Sequence, residues 1–154
     1  MNKSSVSSEF VEEGIYQILD RILKFTQDAF PLNQVLVVKI ISRDIGSFPI
    51  RRDHLEMMLL QLILSARKSM EGRAGILTIE AQAKENRFHH ESRSFILRVS
   101  DTGKPLIQEE NTSQDPLDQH IHYYMVKKIV EFYRGHLRIE SSPKGNSIHI
   151  QFSV

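Results

Sequence analysis

Apolar positions along this chain switch between two periods, and the switches mark its elements. From Glu9 to Phe30, Val11, Ile15, Ile18, Leu19, Ile22, Leu23 and Phe25 recur at helical spacing, and Pro31 stops the pattern. Val35 to Ile41 is a β-branched run of strand length, with the composition of a strand buried on both faces. The stretch RDIGSFPI, with Gly46 and Pro49, reads as loop. A second helix follows, with Asp53 as the expected N-cap and Glu56 completing a capping-box pair. Leu55, Leu59, Leu62, Ala66 and Met70 share one of its faces, Met57 and Met58 read as core, and Gly72 marks its end.

Ile76 to Ala83 and Ser94 to Ser100 alternate as strands, with KENRFHHES as the hairpin tip between them. Residues 102–119, rich in polar residues and holding Gly103, Pro105 and Pro116, form a loop longer than a mere connector needs. Ile121, Met125, Ile129 and Phe132 outline a third helix, ended by Gly135. Strands 136–141 and 147–153 close the chain as a hairpin around Ser142-Pro143-Lys144-Gly145. Three helices and about five strands in this order predict an α/β two-layer sandwich, with the helices on one face of a mixed sheet. The other sheet face must then be polar or covered by a partner.

Length and charge narrow the picture. The 154 residues suit one domain, with residues 1–8, polar and Ser-rich, as a disordered N-terminus. A net charge of +1 gives no case for nucleic acid, and no apolar run has the ~20 residues of a membrane span. The lack of cysteine excludes disulfides and thiolate metal sites. With no secretory signal, a cytoplasmic protein is expected.

Three stretches carry chemistry: DHLEMMLLQLILSARKSM, FILRVSDTGKPL and MVKKIVEFYRGHLRIESSPKGNSIHIQFSV. In order and separation they resemble the N box, the strand with the first glycine box, and the final third of the ATP-binding domain of sensor histidine kinases, the GHKL or Bergerat-fold superfamily. The resemblance runs from residue 9 to residue 154 and implies a single ATPase-type domain without the phosphoacceptor helix hairpin. It also implies a nucleotide site. Asp101 stands where the family's carboxylate accepts the adenine amino group, and Gly103 beside the ring. Gln61 and Ser65 stand at the two N-box asparagines, four apart and so on one helix face; Lys68 matches the basic residue that approaches the phosphates. An Asp and a Gly at a strand end also make an ordinary turn.

The sequence departs from the family where that chemistry would occur. Ser65 in place of asparagine leaves a shorter Mg²⁺ ligand, of use only if nucleotide binds. Pro105 replaces a glycine whose conformation and N–H it cannot imitate. His120 and His122 replace the glycines of the second glycine box, which would present N–H groups to phosphate at a helix N-terminus. With Tyr123 and Tyr124 they crowd that approach. The histidines His89, His90, His120, His122, His136 and His149 do not pair at a metal-site spacing, so no metal is assigned.

These departures lead to the expectation of a degenerate, non-catalytic domain with no required cofactor. It would act as a regulatory or interaction module of bacterial two-component signalling, its partner a histidine kinase, a response regulator or a second copy. The alternative is a protein that holds ATP or ADP with Mg²⁺: a stand-alone anti-sigma-type kinase, or the catalytic domain of a sensor kinase. The start MNKSSVSSEF argues mildly against excision from a longer kinase.

Overall fold

The computed structural model describes residues 14–29, 34–43, 45–46, 48–85, 93–106 and 121–153. The elements run α1 (Ile15–Ala29), β1 (Val35–Ile41), α2 (Arg52–Ser69), β2 (Gly75–Glu85), β3 (Arg93–Asp101), α3 (Ile121–Phe132), β4 (His136–Ser142) and β5 (Gly145–Ser153). Five strands form one sheet in the order β1-β2-β3-β5-β4. β1 and β2 are parallel, with α2 as their crossover, and the other pairs are antiparallel. The predicted α/β sandwich with a mixed five-stranded sheet is what is observed.

Strand alternation sorts residues between the two layers. Leu77, Ile79 and Ala81 of β2, Phe95, Leu97 and Val99 of β3, and Ile148, Ile150 and Phe152 of β5 are all buried. Register aligns them into rows such as Ile79–Val99–Ile148 across the sheet. Leu55, Met58, Leu59, Leu62 and Ile63 of α2 are buried with them in the same core, as are Ile15, Ile18, Leu19 and Ile22 of α1. Across the last row the register reads Leu77–Asp101–Asn146–Ser141, so the buried face turns polar at one end of the sheet.

Five local expectations need correction. Asp53 is not the N-cap of α2: Arg51 holds that place, its carbonyl accepting from Leu55 N–H at 2.9 Å. The Arg51 N–H is itself fixed by the Tyr133 hydroxyl at 3.0 Å, which starts the helix early and leaves Asp53 as a first-turn anion near the positive helix end. Glu56 pairs with Arg21 and Arg52 instead of closing a capping box. β1 is buried on neither face completely: it is an edge strand, and Leu36 and Ile40 are 62% and 53% exposed. Met57 is exposed while Met58 is buried, because only one falls on the α2 stripe that meets the sheet. Phe25, counted in the α1 pattern, also faces outward.

The end of α3 keeps its predicted place with a different residue in the left-handed position. Arg134 has φ of 57°, and the Gly135 N–H reaches back to Val130 O at 2.9 Å, the Schellman pattern. Gly135 is needed for space: a Cβ there would lie 2.7 Å from Gln151 O and 2.8 Å from the Phe152 ring.

Candidate functional site

The site grows from the polar end of that last sheet row. β3 alternates Phe95, Leu97 and Val99 toward the helices, and one further step carries Asp101 inward too, leaving it 8% exposed. Three donors converge on its Oδ1: the Ser69 hydroxyl at 2.8 Å, the Gly103 N–H at 2.8 Å and Asn146 Nδ2 at 3.0 Å. Among the described residues, Oδ2 takes no hydrogen bond. Burial pushes the Asp101 carboxyl above its ordinary value, and the bonds from Asn146, Ser69 and Gly103 pull it only part of the way back.

Asn146 uses its whole amide. Nδ2 donates to Asp101 and to Lys104 O at 2.8 Å; Oδ1 accepts from Leu106 N–H at 2.8 Å and from the Ser141 hydroxyl at 2.7 Å. It therefore clips the chain on both sides of Pro105, which has no N–H of its own to contribute. Gly103 sits tight against the end of α2. A Cβ at 103 would lie 2.5 Å from both the carbonyl carbon and oxygen of Ser69, and the next residue, Lys104, donates its N–H to that oxygen at 2.9 Å.

From α3 a third group enters. Tyr123 is 2% exposed. Burial raises its phenol to about 12; a hydrogen bond with Ser65 opposes the rise, and the negative charge of Asp101 adds to it. Ser65 is itself 3% exposed, so its hydroxyl is buried in the same region as the phenol.

Of the residues singled out from sequence, Asp101, Gly103, Ser65 and Tyr123 come together here. Gln61 turns its amide to Met57 Sδ at 3.5 Å, one turn back along α2, and Lys68 is exposed at the end of the same helix. Pro105 is half-buried beneath the Asn146 clip. Tyr124 lies apart from Tyr123, 47% exposed with Lys128 Nζ 5.3 Å from its ring centroid. His120 falls outside the described residues, as does the side chain of His122.

Ser69 and Asn146 escaped sequence reasoning, though each carried a signal. Ser69 follows Ser65 by four and so shares its helix face. Asn146 holds the inward phase of β5 two residues before Ile148.

No family model matches the sequence, and no curated protein matches it. Solved structures do. The chain superposes on histidine kinase AdeS from Acinetobacter baumannii with a TM-score of 0.71 at 18% identity, covering 91% of this chain and 64% of that one. The histidine kinase domain of the blue-light activated kinase EL346 from Erythrobacter litoralis gives 0.68 at 12%, covering 87% of this chain and 58% of that one. The catalytic domain of histidine kinase ThkA gives 0.69 at 12%, with 91% and 92% covered. The fold is that of a histidine kinase catalytic domain. The chain thus spans nearly all of the isolated ThkA domain and less than two thirds of the first two structures. Among the described residues, no helix is long and apolar enough to cross a membrane.

Proposed function

We propose that this domain, built on the histidine kinase catalytic fold, works without catalysis. On this reading it is a cytoplasmic regulatory or interaction module of two-component-type signalling that presents a surface to a histidine kinase, a response regulator or a second copy of itself. One observation carries the reading: the Asp101 carboxylate, the group that would receive an adenine amino hydrogen, already holds three donors of its own chain on Oδ1. Ser65, at the neighbouring N-box position, supports it: its hydroxyl is buried together with Tyr123, away from the solvent side from which a metal ion would have to reach it.

A second reading, nucleotide binding, has its own observation. Asp101 Oδ2 is left without a hydrogen bond among the described residues, and an adenine amino group could donate to it. A melting experiment separates the two. A ligand at 100 times its Kd stabilises by about 2.7 kcal/mol, a shift on the order of 5–10 °C for a domain of this size. Millimolar ATP or ADP with Mg²⁺ is expected to leave the melting temperature unchanged. A shift of that size that vanishes in Asp101→Asn, each protein compared with and without nucleotide, establishes the second reading and removes the first.

A further inference from the structure

The two edges of the sheet are built differently. β4 carries His136, Arg138 and Glu140 outward, and Arg138 pairs with Glu140 at 3.3 Å. Such charges discourage strand addition. β1 carries Leu36, Val38 and Ile40 outward, and Ile76 of β2, the register partner of Leu36, extends the apolar surface at 43% exposed. Among the described residues β1 has no strand neighbour beyond β2. Its one charge, Lys39, points to the helix layer, where Asp20 and the Tyr16 ring hold it. Tyr16, on the flank of α1 above this edge, is itself 48% exposed.

We propose that β1 is a self-association edge, and that its occupant is β1 of a second copy, paired antiparallel about Val38. In that register Leu36 faces Ile40 of the other copy, Val38 faces itself, and Lys39 faces Val37. No like charges stand directly opposite; the two Lys39 are diagonal neighbours on one face, and each keeps its own Asp20. The pairing is isologous, so it closes at two copies and joins the two sheets into one. Seven residues of strand with a small apolar corner make a modest interface, so the dimer belongs to the weak, transient class, with dissociation in roughly the micromolar to millimolar range. The inference rests on the reading of this domain as an interaction module and names one partner for it.

The chain has no cysteine, so single-cysteine variants report the register cleanly. Directly opposed side chains in an antiparallel pair have Cβ atoms about 4.5–5.5 Å apart, near enough for a disulfide after small adjustment. Val38→Cys is expected to cross-link into a dimer under mild oxidation, and Gln82→Cys, exposed on the same sheet face, is not. Sedimentation of the uncysteinated chain should show reversible dimerisation, weakened at least tenfold by Leu36→Lys or Ile40→Lys, both at exposed positions. A chain that stays monomeric at millimolar concentration overturns the proposal. So does a dimer indifferent to both lysines, or a Val38→Cys variant that cross-links no faster than Gln82→Cys. None of these outcomes bears on nucleotide binding, which the melting experiment reads independently.

Discussion

The inner end of β3 and the outer flank of β1 treat their unusual residues in opposite ways. At Asp101 the fold has buried a carboxylate and surrounded it with donors drawn from α2, the following turn and β5. At Leu36 and Ile40 it has left aliphatic side chains in water with nothing over them among the described residues. The first region is polar where a core is expected; the second is apolar where a surface is expected. A buried polar group needs hydrogen-bond partners, and those of Asp101 Oδ1 come from three separate parts of the fold, so the Asp101 cluster is coupled to folding. An exposed aliphatic side chain is tolerated at little cost, so the β1 flank is free to be shaped by something other than folding.

Substitutions can break this contrast, and the largest effect is expected at Gly103. A methyl group there meets the Ser69 carbonyl at 2.5 Å, and backbone cannot swing away as a side-chain tip can. Gly103→Ala should cost about 3 kcal/mol, the upper end for overpacking, and lower the melting temperature by roughly 6–12 °C. A drop under 2 °C would mean that the turn relaxes freely and that the cluster is not tied to the fold. Asn146→Ala comes next. It strips donors from Asp101 and Lys104 O and an acceptor from Leu106 N–H, for about 2–3 kcal/mol in chemical denaturation.

Tyr123→Phe keeps the ring and removes only the hydroxyl with its hydrogen bonding, so about 1 kcal/mol is expected. The same variant has a spectroscopic signature. The Tyr123 phenol is raised to about 12, so its contribution to stability is complete below the ordinary tyrosine value and is lost as pH rises through about 12. Absorbance titration of the folded protein should show a late step that Tyr123→Phe deletes. At Asp101 the sign is the same in a lower window. Its folded value is raised above 3.8, so its contribution is complete below that pH and lost as pH climbs through the raised value. The stability difference between the parent chain and Asp101→Asn should move against the parent across that window, and a flat difference would contradict the burial argument.

The smallest effect is expected at the edge. Ile40→Thr in dilute protein should change stability by no more than about 0.5 kcal/mol. A loss of 2 kcal/mol there would dissolve the contrast, because Ile40 would then belong to the core of the monomer.

How much of this was legible in the sequence follows the range of the forces involved. Periodicity located the three helices of the described residues and the strand pairs because one residue's burial is enough to set a phase. Alternation put Asp101 and Gly103 just after a strand ending at Ser100; β3 runs one residue further, to Asp101, and the structure joins both residues to the end of α2. What sequence could not supply was the partner of each polar group. Asp53 looked like a cap, yet Tyr133, far along the chain, decided where α2 begins. Ser69 and Asn146 became visible only once β3 and β5 were in register with the end of α2 beside them. The outward face of β1 failed for a related reason: a run of β-branched residues reads the same at the centre of a sheet and at its edge, and only strand order tells them apart.

The clip made by Asn146 and the burial of Tyr123 have a consequence for chain length. One holds the backbone at Leu106 and the other holds the first turn of α3 in the core, so Leu106 and Tyr123, on either side of the connection between β3 and α3, are each fastened to the fold. Closing a chain segment between fixed ends depends only logarithmically on its length, and doubling it costs only about 0.6 kcal/mol. A reporter segment spliced into that connection should therefore leave the domain folded, so this is the place to read its conformation without disturbing either the Asp101 cluster or the β1 edge.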